Sequence, residues 1–212
     1  MAAAPEPDSD GDCLPEAVAT GFTLEYFNER QGDFARDPHL AKVGPATAAD
    51  VPDLVRAQVM SMEQAYRQLP GAERMREFLL DSLGPRMMRH WAIEIGRSDR
   101  HLITVRSFSG HVVGFMPFHS ENGMWFINGW FVLPGWQNIR LGRLLMQAAL
   151  DNIGPAEIQV DVTVGIGVLE SYMRYGFVPT GEETETPARL EEYKIRAPQQ
   201  HLVRPAAESE SR

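Results

Sequence analysis

The sequence predicts an α/β fold: a mixed central sheet, mostly antiparallel with one parallel strand pair, flanked by helices. Three observations lead there. Strand-like runs at His101–Phe108, His111–Ser120 and Met124–Leu133 are separated only by short turn sequences, which makes an antiparallel meander. The third run is followed by a loop, a helical pattern and a further strand, and a strand–helix–strand unit implies a parallel crossover. Between Val51 and Ile95, three short amphipathic helical patterns in a row supply cover for the sheet.

The length of 212 residues and a hydrophobic fraction of 43% fit one globular domain with tails. Residues 1–20 are rich in Ala, Pro, Asp and Glu, a composition that cannot offset its own ordering entropy, and are expected to form a disordered acidic tail. From 21 to 42 apolar side chains return without a clean period (Phe22, Leu24, Tyr26, Phe27, Phe34, Leu40), which reads as an N-terminal arm. The folded domain is expected over 43–196. Residues 197–212, polar with Pro and Ser, read as a C-terminal tail.

Within the domain, Lys42–Thr47 reads as a first strand. Asp50 and Pro52 provide an N-cap and an early-turn proline for a helix whose Val55, Val59, Met62, Tyr66 and Leu69 share one face, before Pro70-Gly71 ends it. A second helix carries Met75, Phe78, Leu79 and Leu83 up to Gly84-Pro85; a third carries Met88, Trp91, Ala92 and Ile95 and stops at Gly96. The methionines of this region, Met60, Met62, Met75, Met87 and Met88, read as adaptable core filler, with a pocket lining as the alternative. In the meander the turns are Ser109-Gly110 and Glu121-Asn122-Gly123. Pro117 lacks a ladder donor, so a bulge or an edge is expected beside it, and Gly129 is read as a bulge. The run Met124–Leu133 is apolar on both faces, as in a covered central strand. Further on, Leu141, Leu144, Leu145, Ala148 and Ala149 form one face of a helix ending near Gly154-Pro155. Ile158–Val164 alternates as a strand, Val168–Tyr175 is a helix, and Phe177–Glu182 and Arg189–Arg196 read as two closing strands.

Composition bounds the chemistry. The formal charge is −9, and residues 1–42 hold nine acidic side chains against Arg30, Arg36 and Lys42, so the chain lacks the basic face that nucleic acid requires. The sole cysteine, Cys13, excludes an intramolecular disulfide and argues against a thiol nucleophile. The six histidines show no metal-ligand spacing, so no metal is expected. Met1 to Glu6 lack the basic and apolar regions of a secretion signal, and no apolar run reaches the ~18 residues of a membrane span, so a cytoplasmic location is expected. At Val132-Leu133-Pro134 an apolar strand stops, and after a short polar loop the chain restarts as a helix. Such a junction presents unpaired backbone N–H groups at the helix N-terminus. Arg140 and Arg143 add positive charge there, which suits a phosphorylated ligand; the alternative is an ordinary junction that binds nothing. Gly165-x-Gly167 is not a dinucleotide fingerprint, because the third glycine and the later acidic residue are missing.

In order, these elements resemble the GNAT superfamily of N-acetyltransferases over about residues 43–196, and two motifs carry the resemblance. One is the family's pyrophosphate loop, Gln/Arg-x-x-Gly-x-Gly/Ala after an apolar-x-Pro strand end. Gln137 and Gly142 match its first and last positions, and Arg140 replaces the middle glycine. The other is Tyr172-Met173-Arg174-Tyr175-Gly176-Phe177, similar to the family's Tyr-x-x-x-Gly-Phe. The resemblance implies acetyl-CoA as acyl donor. Its pantetheine arm would meet the backbone of Phe131, Val132 and Leu133, and its pyrophosphate the turn formed by Gln137, Asn138, Ile139, Arg140, Leu141, Gly142 and Arg143. Tyr172 would protonate the departing thiolate. Phe126 stands where many members carry a glutamate base, and Gly165 where many carry an asparagine. Asn128 shares the face of Phe126 but is not a base. His119 and Glu121 are the nearest basic alternatives, read otherwise as a strand-end polar residue and a solvated turn carboxylate. Asp161 and Thr163, opposite the valines of their strand, are read as locally hydrogen-bonded, with acceptor contact as the alternative. The implied function is acetyl transfer to a primary amine of a small molecule or protein by direct attack, with a homodimer as the family's implied assembly. A second class stays open: a catalytically degenerate GNAT-like module that binds acyl-CoA or serves as an interaction surface.

Overall fold

The computed structural model describes residues 41–79 and 84–207. The expected acidic tail, nearly all of the arm, Cys13 and Leu83 lie outside them. The chain runs β1 (Lys42–Pro45), α1 (Val51–Ala65), the short α2 (Met75–Glu77), α3 (Gly84–Ile95), β2 (Arg100–Arg106), β3 (Val112–Glu121), β4 (Met124–Ile127) and β5 (Phe131–Val132). It continues through α4 (Leu141–Ile153), β6 (Ile158–Thr163), α5 (Leu169–Met173), β7 (Val178–Thr184), α6 (Ala188–Glu192) and β8 (Gln199–Arg204). The sheet order is β1-β2-β3-β4-β6-β8-β7, with β5 alongside β3. Among the described strands only β4 and β6 pair in parallel. The predicted mixed sheet, mostly antiparallel and flanked by helices, is therefore present.

Local chemistry accounts for most elements. Val55 and Val59 are buried as their spacing requires, joined by Val51, Leu54 and Ala57, so the apolar stripe of α1 is wider than one row; Met62 is only half-buried, and because the helix ends at Ala65, Tyr66 and Leu69 are buried from the 3-10 turn and the extended residue that follow it. Met75, Met87 and Met88 are core, as the filler reading expects. Asp50 does not cap α1 with its side chain. Its carboxylate instead takes the N–H and hydroxyl of Thr47 at 2.6 and 2.7 Å and an ion pair from Arg106 of β2, pinning the start of α1 to the sheet. Asn122 and Gly123 both have positive φ, 52° and 82°, as a tight Asn-Gly hairpin turn needs. The first hairpin is wider than two residues: Ser107 N–H donates to His111 O at 2.9 Å and the strands close only at Arg106 and Val112.

Four expectations are corrected. Met124–Leu133 is not one strand but two, because the segment 128–130 leaves the ladder opposite Pro117. Asn128 N–H donates to Pro117 O at 2.9 Å, so the missing proline donor coincides with the break. On α4 the buried row is Leu141, Leu145, Met146, Ala149 and Ile153, whereas Leu144 is exposed: the stripe lies one residue round from the expected face. Residues 188–192 are helix rather than strand: Leu190 is buried while Ala188, Glu191 and Glu192 are exposed, and a single helical turn satisfies that pattern. The closing strand is β8, inside the stretch expected to trail off. It lies between β6 and β7, and its Leu202 is fully buried.

Candidate active site

The site originates in the one parallel pairing. β4 and β6 share only the rungs Trp125–Ile158 and Phe126–Gln159. Beyond them β5 stays with β3 while β6 continues with β8, and the sheet splits. A cavity of about 660 Å3 fills the split, lined by residues from α1 and the turn after it, the 128–132 segment, the α4 turn, β6, α5 and Gln199 of β8.

Helix α1 and the 3-10 turn that follows it (Tyr66–Gln68) bridge the two parting strands. Ser61 Oγ donates to Val132 O at 2.8 Å, and the Tyr66 hydroxyl meets Thr163 Oγ1 at 2.9 Å. Gln137 Nε2 also donates to Val132 O, at 3.0 Å. Leu133 N–H donates to Val113 O at 2.9 Å, so by the alternation of an antiparallel ladder Phe131 and Leu133 direct their backbone groups to β3. Of the three residues expected to offer backbone contacts, Val132 alone turns its own to the split. With its carbonyl occupied by Ser61 and Gln137, it presents its N–H.

The α4 turn departs from regular backbone at two residues. After a 3-10 turn at Pro134–Trp136, Asn138 and Arg140 adopt positive φ, 63° and 71°. Arg140 therefore sits in the left-handed region that glycine enters without cost. Leu144 N–H donates to Arg140 O at 3.2 Å, so the N–H groups of Leu141, Gly142 and Arg143 precede the helical ladder and are available to an anion. Gly142 has a second reason to be glycine. A Cβ there would stand 3.0 Å from the indole of Trp130. That indole meets Tyr172 edge-on at 5.4 Å and Tyr175 at 5.9 Å, and its Nε1 is buried without a partner among the described residues. A long ligand with phosphates at one end fits this cradle: a slot between strands leading to a turn of free N–H groups.

Tyr172 lines the cavity and is 4% exposed, its ring also edge-on to Phe177 at 5.4 Å. Burial pushes its phenol well above the ordinary range. Burial also raises Tyr66, with the Thr163 hydrogen bond opposing. Of the sequence-derived residues, Phe131, Val132, Gln137, Asn138, Gly142 and Tyr172 line the cavity. Leu133 and Leu141 lie in the core and Ile139 packs against it, while Arg140 and Arg143 are on the turn but not on the cavity wall. His119 is buried and its Nδ1–H donates to Asn128 Oδ1 at 2.7 Å, which places it behind a cavity residue rather than on the wall. Glu121 is largely exposed, 3.9 Å from His119 Nε2. Phe126 stacks on His119 at 5.2 Å. Asp161 bonds His201 Nδ1 at 2.8 Å and Thr163 bonds Tyr66, so both are hydrogen-bonded, to partners far away in sequence, and both line the cavity. Ser61, Gln64, Tyr66, Gln68, Trp130 and Gln199 were not singled out from sequence as site residues; the only sequence signals were a serine and a phenol carried on an apolar helix. Among the described residues no three His, Cys, Asp or Glu come together as a metal site, and no helix is long and apolar enough to cross a membrane.

The split sheet with a phosphate-type turn at its mouth defines the class of fold, and comparison with known proteins agrees. The model of the acetyltransferase (GNAT) domain matches residues 57–187, more than half of the chain. The chain belongs to the GNAT acetyltransferase family, whose acyl donor is acetyl-CoA. Among solved structures, it is similar to the PaiA N-acetyltransferase of Thermoplasma acidophilum in complex with coenzyme A. There the TM-score is 0.62 at 14% identity, over 78% of this chain and 98% of that one. It is also similar to a GCN5-related N-acetyltransferase from Kribbella flavida, with TM-score 0.57 at 16% identity over 80% and 99% of the two chains. The ribosomal-protein-S18-alanine N-acetyltransferase of Escherichia coli gives a TM-score of 0.55 at 13% identity over 81% and 97%. At these identities the likeness is one of fold. No curated protein matches the sequence.

Proposed function

We propose that the protein transfers the acetyl group of acetyl-CoA to a primary amine, of a small molecule or a protein, by direct attack while both substrates are bound. One observation carries this reading: a single cavity reaches the α4 turn on one side and the α1 and β8 side chains on the other, so donor and acceptor share one space. The pyrophosphate would sit on the N–H groups of Leu141, Gly142 and Arg143, with Asn138 and Ile139 shaping the turn and Arg140 and Arg143 supplying charge. Gln137, bonded to Val132 O, would hold the strand end rather than grip phosphate. The pantetheine arm would run between β5 and β6, and the Val132 N–H would polarise the acetyl oxygen.

In the transfer, the neutral amine attacks the thioester carbonyl, a C–N bond forms and the C–S bond breaks. Tyr172 gives its proton to the leaving thiolate. Burial raises the phenol, so it holds its proton through the neutral range and has one to give. Phe126 cannot take the amine's proton, so solvent removes it. The lone cysteine supports a reducing, cytoplasmic setting.

The test is thiol release from acetyl-CoA over a panel of amines, beside direct CoA binding. Turnover that collapses in Tyr172→Phe is the expected result. CoA binding with no thiol release from any amine would favour a binding module, and absence of CoA binding would remove the cofactor assignment altogether.

A further inference from the structure

The acceptor side of the cavity has a distinct chemistry. Gln58, Gln64, Gln68, Gln199 and Asn128 give it carboxamides, and Asp161 is its only charged side chain; no lysine, arginine or histidine lines it among the described residues. A substrate carboxylate or phosphate entering here would lose water without gaining a cation, which is strongly unfavourable. A carboxamide can donate to an anion, but it does not neutralise one. Asp161 stands at the mouth, its side chain 51% exposed, and accepts from His201 Nδ1 at 2.8 Å. On the α1 wall the Gln64 Oε1 is buried with no donor among the described residues. An anionic group brings no donor; an ammonium or amine does.

From this we infer that the acceptor is a small amine whose remainder is cationic, such as a diamine, and carries no anionic group, with Asp161 pairing its second cation. The inference rests on the acyltransferase reading and narrows its substrate class.

Lysine and lysine amide test it, because they present the same two amines and differ only in the carboxylate. Thiol release from acetyl-CoA should show kcat/KM at least tenfold higher for lysine amide. In Asp161→Asn, the KM for lysine amide should rise at least fivefold relative to that for pentylamine, which has no second cation; a merely structural role would move both together. A kcat/KM for lysine equal to or above that for lysine amide would overturn the inference while leaving the acyltransferase reading intact. So would CoA binding without turnover of either compound. Failure to bind CoA would sink both readings.

Discussion

Replacing Tyr172 by phenylalanine removes one hydroxyl from a ring held edge-on by Trp130 and Phe177, each at 5.4 Å. All of the ring packing survives, so the folded protein should lose no more than about 1 kcal/mol, the worth of one ordinary hydrogen bond. Catalysis should suffer far more. Loss of a positioned general acid costs about 100- to 10,000-fold in rate, equivalent to about 3–5 kcal/mol of barrier. CoA affinity should stay within about twofold, since the ground state of the bound cofactor does not need the proton. The pH profile adds an independent check. Because burial holds the phenol above its ordinary range near ~10, Tyr172 remains protonated, and kcat should show no alkaline fall up to about pH 10. Stopped-flow and steady-state thiol release, isothermal titration with CoA and urea unfolding together measure all three quantities. A Tyr172→Phe enzyme with kcat within threefold of the parent, or a parent whose kcat declines between pH 8 and about 9, would refute the assignment of the proton to this residue.

Arg140→Gly should stabilise the fold by about 0.5 kcal/mol, because the relief of left-handed backbone at φ 71° slightly exceeds the extra freedom of glycine in the unfolded chain. It should also weaken CoA binding about tenfold, since the backbone already has the glycine-like shape and only the guanidinium is lost; tighter binding would show that the side chain obstructs. Ser61→Ala leaves Val132 O with Gln137 as its one side-chain donor and should cost about 0.5–1 kcal/mol in urea unfolding, with a raised KM for acetyl-CoA; unchanged values in both would mean that the α1 bridge to β5 does not hold the site. Asp50→Asn should cost about 2–3 kcal/mol at pH 7 by breaking the partly buried pair with Arg106. Burial alone would raise the Asp50 carboxyl, but hydrogen bonds from Arg106 and Thr47 outweigh it and bring it below its ordinary value. A lowered folded-state value means this stability is present above the unfolded value near ~3.9 and is lost as pH falls through the folded one. The gap between parent and variant should therefore shrink as unfolding is measured from pH 7 towards 3; a constant gap would exclude the ionised carboxylate as its source.

The sequence by itself determined the elements whose signal is local. Alternation in Ile158–Thr163, the buried Val55 and Val59 of α1 and the Asn122-Gly123 turn are each written within a few residues, because side-chain period and backbone sterics act at that range. The two motifs at Gln137–Gly142 and Tyr172–Phe177 were legible for the same reason: each is a single local turn. The tertiary structure decided the rest. Gln199–Arg204 has only Leu202 and Val203 as apolar residues, too few to show a period, and it is a strand because β6 and β7 flank it. Of the cavity wall opposite the α4 turn, only Asn128, Asp161 and Thr163 drew notice in the sequence, and the α1 side was not legible. Ser61 reaches Val132 across 71 positions and Tyr66 reaches Thr163 across 97. Those contacts exist because a two-rung parallel pairing lets the sheet part and a distant helix closes over the opening. Hydrogen bonds at such separations are set by the packing of the whole sheet, and no spacing along the chain records them.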